Sequence, residues 1–441
     1  GPVPTAGGGT FSFSVPDGTY WIVVDSQDLG PNSRWAEQTY GPDGAWCADG
    51  AGGTSENASA GACYGGRRGN QSDDLTPWFD DAEHLARIVV SGGDVTNVDF
   101  GFSFNAVTTT RGGSAVADPG ASGTQTVQGS LRQFITNAND IAGANVMRFV
   151  PAVPTNEIIV SAQNWWRIDL TATLPTVTGA DTTIDGTAYQ LANGTVVRND
   201  NNATTGAGES VGVDSFFTTP IIDPEIEIDI TGIAPGLIID ASKSTLRGVS
   251  IWGSTNFDVE ICDDAGLEVT GVTLEQSIFG TPPHQFDGSF PPSGNDVVSI
   301  ASEAKNGTIQ DNLICFADGG GPTLNSDSTG WVVFQNEIRG GGRAAGWGAN
   351  QDGVGDGAPG IIVRGNLIAD MAGGGVDAFR QTGGFTIEQN TFRNNGTTAP
   401  EEFAIRIMGN TGSSITKNIF EQNNGPAVIV VSDRAVPAYA G

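Results

Sequence analysis

An asparagine that recurs through the second half of the chain restricts the possible folds more than any other feature. Five segments share the order apolar–x–x–Asn–x–apolar and contain Asn312, Asn336, Asn366, Asn390 and Asn418, at spacings of 24, 30, 24 and 28 residues. Irregular periods in the twenties, with short apolar runs and glycine-rich insertions, indicate stacked coils rather than a propeller or a helical solenoid. A single coil is too thin to bury a core, so neighbouring coils must pair their strands.

The repeated asparagine is predicted to be structural. An Asn in a tight bend can stack on the Asn of the next coil and bond to its backbone, and this ladder is favoured over a catalytic role. A second strand follows in several coils and ends 13 residues after the repeat position, at 262, 379 and 431. This constant offset predicts that the second strands align with one another from coil to coil.

A helix is predicted just before the coils. Apolar residues at 131, 134, 135, 138 and 141 fit one helical face within 129–141. This segment, which begins Gly-Ser-Leu-Arg and continues to Ala-Asn, resembles the cap of many bacterial right-handed β-helix proteins. Residues 106–441 as a whole resemble the right-handed parallel β-helix of pectate lyases, phage tailspikes and many adhesins. The resemblance implies an all-β solenoid with a short N-terminal capping helix, in which 150–240 supply early, irregular coils.

Residues 1–105 are predicted to form a separate unit. Segments 10–24 and 85–104 each alternate apolar residues around a central turn, which predicts two strands apiece. Phe-Ser-Val-Pro-Asp-Gly-Thr-Tyr and Val-Asp-Phe-Gly-Phe resemble the closing strands of B-type repeat domains of bacterial surface adhesins, which are similar to carboxypeptidase regulatory-like domains. The resemblance implies a small, partial β-sandwich with a long decorated loop. Its missing opening strands would leave an edge for self-association by strand donation.

Net charge and the cysteines restrict the possible partners and the cellular location of the protein. With 20 Lys+Arg against 50 Asp+Glu, the net charge of −30 disfavours nucleic acid and anionic membrane surfaces as partners. The chain has no apolar run of about 18 residues, so no membrane insertion is expected. Cys47 and Cys63 flank one small-residue loop and are predicted to form a disulfide, the alternative being two free thiols. A disulfide favours a secreted or cell-surface protein, here a bacterial one.

Catalytic candidates follow from aligning the second strands. The alignment brings residues just after these strands to one rim: Asp263, Asp264, Glu303 and Arg380. Carboxylates one coil apart would lie about 5 Å from each other, which suits a retaining glycosidase. An arginine beside Ca²⁺, either Arg380 or Arg406, would suit a lyase, although nothing singles out either one. The favoured interpretation is that the four rim side chains are simply solvated at the ends of their strands.

Binding candidates lie elsewhere. The acidic, glycine-rich segment 350–357 contains Asp352 and Asp356, which could bind Ca²⁺ or could be a solvated turn. Aromatic side chains in the polar loop of the first unit could stack on sugar rings or could pin that loop to its own sheet. These aromatic candidates are Trp35, Tyr40, Trp46 and Trp78.

The expected function is therefore an adhesin or structural stalk segment that binds a carbohydrate or a cell-surface protein, without catalysis. The alternative is a polysaccharide-active β-helix enzyme, either a lyase or a glycoside hydrolase.

Overall fold

The coils are built from three long sheets that run the length of the stack. The computed structural model describes residues 6–26, 34–67, 82–112, 116–117, 124–125, 127–159, 163–261, 268–290, 292, 294, 297–300, 304–325, 328–343, 352–378, 384–397, 403–409 and 412–431. Each coil adds a strand to the sheets, and strands of successive coils pair in parallel. This is the stacking that the asparagine repeat predicts.

The strand bounds define the three sheets. The first sheet holds Asn145–Val146, Thr182–Asp185, Thr245–Arg247, Thr273–Glu275, Thr308–Gln310, Val332–Phe334, Ile362–Arg364, Thr386–Glu388 and Ser414–Thr416. The second sheet holds Glu157–Ile159, Gln163–Asp169, Ile226–Asp229, Val249–Trp252, Ile278–Phe279, Leu313–Cys315, Glu337–Arg339, Leu367–Ala369, Thr391–Arg393 and Ile419–Glu421. The third sheet holds Leu237–Ile239, Val259–Ile261, Val298–Ile300, Pro322–Leu324, Val354–Asp356, Val376–Ala378, Ile405–Met408 and Val428–Val431.

Shorter strand pairs lie beside the sheets. Those of the coil region are Ala106–Val107 with Arg148–Phe149, Val116–Ala117 with Thr124–Gln125, Thr204–Thr205 with Ile221–Ile222, Ser210–Val211 with Phe216–Phe217, and Val269–Thr270 with Ala304–Lys305. Those of the N-terminal unit are Gly18–Val24 with His84–Val90, Trp46–Ala48 with Thr54–Glu56, and the three-stranded sheet Gly61–Ala62, Glu37–Gly41 and Gly101–Ser103.

The core is a set of side-chain columns inside the coils. In the first sheet the middle residue of each strand points inward and stacks on its equivalent in the next coil, as Leu274, Ile309 and Val333 do. All three are fully buried. Because flanking residues of the same strands point outward, the sequence needs only one apolar residue per three-residue strand here.

The asparagines form a ladder at the bend between the first and second sheets. Asn366 Oδ1 accepts bonds from the backbone N–H and Nδ2 of Asn336, at 2.9 and 3.0 Å, and its Nδ2 donates to Val333 O. The same pattern joins the other members, Asn312, Asn390 and Asn418. The residue before each Asn adopts a positive φ, which makes the bend.

A second ladder lies at the end of the second sheet, and it is absent from the expectations drawn from the sequence. Asn395 Oδ1 accepts from the backbone N–H of Met371, and Asn423 Oδ1 accepts from that of Asn395. The sequence signal for this second ladder is that Asn395 and Asn423 are 28 residues apart, the same spacing that separates Asn390 from Asn418.

Helix Leu131–Asp140 closes the N-terminal end of the stack, as predicted. Ser130 caps it by accepting a bond from the backbone N–H of Gln133. Phe134 and Ile135 are buried in the main core. On its other side Asn137 accepts a bond from the Trp35 N–H and donates to Trp35 O, so the N-terminal unit packs directly on the cap.

The N-terminal unit departs from the prediction in its first segment. Gly18–Val24 and His84–Val90 pair along their whole length, and Gly101–Ser103 is the second strand predicted within 85–104, but residues 10–15 form no strand. The alternating pattern of 10–15 is that of a strand, yet these residues join no strand ladder in the described part of the chain. Phe13 and Val15 are consequently exposed.

Residues 201–222, here named the strap, leave the coil path and lie across the second sheet. Val211 packs on Leu367 and Ala369, and the backbone N–H of Val213 donates to Lys417 O. Ile221, at the other end, packs on Ile278 and Leu313 of earlier coils. Part of 150–240 is therefore an external strap instead of coils. The described residues contain no helix with the length and hydrophobicity needed to cross a membrane.

Candidate functional site

The second sheet has a covered outer face. The strap occupies it in the later coils, where Glu209 pairs with Arg393 at 2.7 Å and the Ala207 N–H donates to Glu337. Segment 280–290 covers it earlier, where His284 stacks on Trp165 with ring centroids 4.7 Å apart. These two segments therefore block the path of a polymer along this face.

The outer face of the third sheet presents a continuous row of positions. The residues on either side of the middle position belong to the main core in the strands Leu237–Ile239, Val259–Ile261, Val298–Ile300, Val376–Ala378 and Ile405–Met408. The middle residues therefore occupy the outward-facing positions. Strand register places them next to one another in the order Ile238, Glu260, Ser299, Thr323, Gly355, Asp377, Arg406 and Ile429, here named the outer row.

Asp377 and Arg406 form the charged centre of the outer row. The guanidinium donates from Nε to Oδ1 at 2.7 Å and from Nη2 to Oδ2 at 2.5 Å. The side chains are 7% and 12% exposed, so solvent screens this pair little. Burial raises the pKa of Asp377, and the bonds from Arg406 oppose that rise. Arg406 also lies over the Phe403 ring, 4.5 Å from its centroid.

Gly355 leaves a gap in the row beside Asp377. A Cβ at this position would contact, among the described atoms, Thr323 Oγ1 alone, at 3.5 Å. Neighbouring coils are about 4.8 Å apart, so the gap separates the Thr323 hydroxyl from the Asp377 carboxylate by about two coil spacings. The outer row therefore has one position without a side chain, between Thr323 and Asp377.

The outer face of the first sheet differs because its charges are more open to solvent. Arg247 pairs with Asp185 at 2.6 Å and lies 3.9 Å from Glu275, and its side chain is 42% exposed. Arg364 pairs with Glu388 in the same manner, at 3.3 Å. The Asp185 carboxylate is itself only 6% exposed, so it is the open arginine that lets solvent screen its pair with Arg247.

Glu227 is a buried carboxylate on the second sheet. It accepts bonds from the indole N–H groups of Trp165 and Trp252, at 2.5 and 2.8 Å. Burial raises its pKa to about 7, although both indoles and Arg167 oppose the rise. The carboxylate holds the two indoles on which His284 and Phe290 pack, so it anchors segment 280–290.

The raised pKa of Glu227 predicts a pH-dependent stability. Because its folded pKa exceeds the ordinary value of 4.5, its contribution is complete below about pH 4.5 and is lost as the pH rises through about 7. Glu227→Gln removes this titration. The difference in unfolding free energy between wild type and variant should fall by on the order of 3 kcal/mol from pH 4.5 to pH 7.5. Urea unfolding at several pH values measures it, and parallel pH profiles would contradict the prediction.

The catalytic candidates of the rim lie outside the described residues. Asp263 and Asp264 follow the strand Val259–Ile261, and Glu303 and Arg380 likewise follow strands of the third sheet in the sequence. Asp377 lies outside the predicted rim because that rim comprises only residues that come after each strand, whereas Arg406 is one of the two arginines that the sequence offers as a lyase base. The signal was present in the strands themselves, where a charged residue stands between two apolar ones.

The binding candidates have different surroundings. Asp352 is buried and its Oδ1 accepts the Gly374 N–H, while Asp356 ends the strand Val354–Asp356. The described residues contain no group of three or more His, Cys, Asp or Glu side chains suited to a metal ion. Cys47 and Cys63 are joined in a disulfide.

The four aromatic candidates do not form one surface. Trp35 is 2% exposed against the cap helix, so its ring has no open face for a sugar, contrary to the expectation of a binding residue. Tyr40 is 39% exposed, and Trp46 packs near Trp21. Trp78 lies outside the described residues.

Comparisons with known proteins identify the fold. A family model described as the right handed beta helix region matches residues 235–437. No curated protein matches the sequence. The enzymatically active domain of tailspike protein 2 from bacteriophage CBA120 is similar over 85% of this chain and 51% of its own, at 11% identity and a TM-score of 0.40. The chain thus spans about half the length of that tailspike domain.

Two further structures share the fold. The A-module of the mannuronan C-5 epimerase AlgE4 from Azotobacter vinelandii is 13% identical over 69% of this chain and 92% of its own, with a TM-score of 0.31. Pectate lyase Pel9A is 12% identical over 76% of this chain and 83% of its own, with a TM-score of 0.33.

The expectation of a non-catalytic adhesin or stalk segment is wrong on these findings. The similar structures are named as enzymes, and mannuronan and pectate in their names are polysaccharides. The findings agree better with the alternative, a polysaccharide-active protein. The family match and the three long parallel sheets together show the fold: the chain is a right-handed parallel β-helix.

Proposed function

We propose that this protein is a polysaccharide-active enzyme that binds its substrate along the outer row of the third sheet. The observation that carries the proposal is the buried Asp377–Arg406 pair beside the gap at Gly355. A linear polymer of rings suits a linear row of side chains repeated at coil spacing. The second sheet is covered, and on the first sheet the arginines of the ion pairs are open to solvent.

Asp377 is proposed as the acid–base group. A carboxyl with a raised pKa in a partly dry site can give a proton to a glycosidic oxygen or take one from a sugar ring. Arg406 fixes its orientation through two bonds. Cleavage needs a second reactive group, and among the rim candidates Arg380, which follows the strand of Asp377, is the proposed source. Asp263, Asp264 and Glu303 follow strands three or four coils away and are proposed to contact more distant rings of the polymer.

The preferred substrate is proposed to be a glycan of low charge. With a net charge of −30, the protein repels a polymer that carries a carboxylate on each ring. Within the outer row, Arg406 is already neutralised by Asp377, so it offers no free positive charge to an anionic polymer. The disulfide Cys47–Cys63 supports a location outside the reducing cytosol, either secreted or at a cell surface.

Filling the gap tests the proposed site. Gly355→Leu should lower kcat/KM at least about 10-fold, mainly by raising KM, because its side chain would occupy the ring position. The backbone of Gly355 is not in the positive-φ region, so the fold should tolerate the change. The assay incubates the full chain with neutral and acidic polysaccharides and follows new reducing ends and the absorbance of unsaturated sugars.

The control places the same residue on an unrelated surface. A Cβ at Gly93 in the N-terminal unit would have no described atom within 4 Å, and its φ is not positive, so Gly93→Leu should keep full activity. Unsaturated products would indicate a lyase, and reducing ends alone would indicate a hydrolase. If wild type altered no polymer, or Gly355→Leu matched wild type, the proposed site would be wrong.

A further inference from the structure

The two ends of the strap meet at a buried polar neck. Asn201 enters the strap, and its backbone N–H donates to Glu225 Oε1 at 2.9 Å. Its side-chain Nδ2 donates to Pro224 O, also at 2.9 Å. The Asp223 N–H donates to Ala203 O, so both ends are joined before the chain enters the second sheet.

Three oxygens at the neck have no hydrogen-bond partner among the described residues: Asn201 Oδ1, Asp223 Oδ1 and Glu225 Oε2. Their residues are 0%, 3% and 7% exposed. The bond from Asn201 Nδ2 to Pro224 O holds the carboxamide against the peptide between the two acids, and the Glu225 carboxylate accepts a bond from the Asn201 backbone. Buried acceptors without partners are costly, so a ligand that satisfies all three would stabilise the fold.

The neck also has an excess of negative charge. Arg198 pairs with Asp200 at 2.7 Å, so these two charges balance. Asp223 and Glu225 have no ion pair of their own in the described part of the chain. Two buried carboxyl groups that lack a cationic partner are costly to ionise, so a bound cation would stabilise them.

We propose that Asp223, Glu225 and Asn201 bind one hard divalent cation at the neck of the strap. Carboxylate and carboxamide oxygens are the ligands that Ca²⁺ takes in proteins, and a charge of +2 cancels the two carboxylates. Backbone carbonyls and water complete its coordination. The cation joins residue 201 to residues 223–225 and so fixes the strap across the second sheet. The proposal is independent of the polysaccharide activity.

Calcium titration of the full chain tests the proposal. Chelator-treated protein at pH 7.5 is titrated with CaCl₂, and in a second series with MgCl₂, by isothermal calorimetry and thermal unfolding. Wild type should bind one ion with a rise in Tm, and calcium at 100 times its Kd should favour the folded state about 100-fold. Asp223→Asn and Glu225→Gln, tested singly, should weaken binding at least about 10-fold.

Control variants separate this site from other acidic groups. Glu388→Gln removes a carboxylate of the first sheet, and Asp356→Asn removes a candidate of the segment 350–357; both should bind calcium as wild type does. Absence of binding at millimolar Ca²⁺ and Mg²⁺ would overturn the proposal, since protons would then satisfy the neck. Loss of binding in Asp356→Asn, but not in the neck variants, would equally overturn it. If a neck variant fails to fold, the wild-type titration and the other variant decide.

Discussion

Asp377→Asn is expected to lower kcat/KM at least about 100-fold, because general acid–base groups contribute about 10²–10⁴-fold. Asparagine keeps the shape of the side chain but cannot exchange a proton with the substrate. It also leaves Arg406 without its carboxylate, so some loss of stability accompanies the loss of activity. The measurement is the pH dependence of kcat/KM on whichever polymer wild type cleaves, and the variant should lose the limb that reports Asp377.

Asp185→Asn provides a matched control for this prediction. Asp185 is also a carboxylate that bonds to an arginine of the next coil, Arg247, at 2.6 Å, but on the first sheet. Its replacement should reduce stability and leave kcat/KM within about twofold of wild type. If both variants lost activity in proportion to their stability, the Asp377 effect would be structural. If Asp377→Asn kept full activity, Asp377 would not be the acid–base group.

The stacking of coils could be predicted because it depends on local signals. The Asn at each bend follows a residue of positive φ, and the pattern recurs in every coil from Asn312 to Asn418. The offset of 13 residues aligned segments 259–262, 376–379 and 428–431, and all three contribute strands to the third sheet. Once the coils stack, register follows from hydrogen bonding alone.

The strap and the charged pair depend on contacts between distant residues. Val213 bonds to Lys417, and no feature of 201–222 indicates that its apolar residues meet the second sheet rather than continue a coil. Asp377 and Arg406 lie 29 residues apart and meet because one coil separates their strands. The alternation within Val376–Ala378 and Ile405–Met408 predicts that Asp377 and Arg406 face outward. That the two side chains pair with each other depends on the exact length of the coil between them, and irregular loops make this length unpredictable from the sequence.

Asn366→Ala is expected to produce the largest loss of stability, about 3 kcal/mol or more. The side chain is fully buried and has bonds to Asn336, Asn390 and the Val333 carbonyl, so alanine would leave several buried groups unpaired at once. The coils on either side would lose their link at the bend. Urea unfolding measures the total loss, and hydrogen exchange should show faster exchange at the bends of both neighbouring coils.

Asn418→Ala tests whether position in the ladder sets the size of the effect. Asn418 is only partly buried and accepts from Asn390, but no later member of the ladder accepts from it in the described residues. Its replacement should therefore cost about half as much or less, because water can reach the groups it leaves. Equal losses at the two positions would mean that each Asn acts within its own bend. A larger loss of stability at Asn366 would mean that the ladder couples the coils, because Asn366 has a ladder neighbour on both sides and Asn418 has one on a single side.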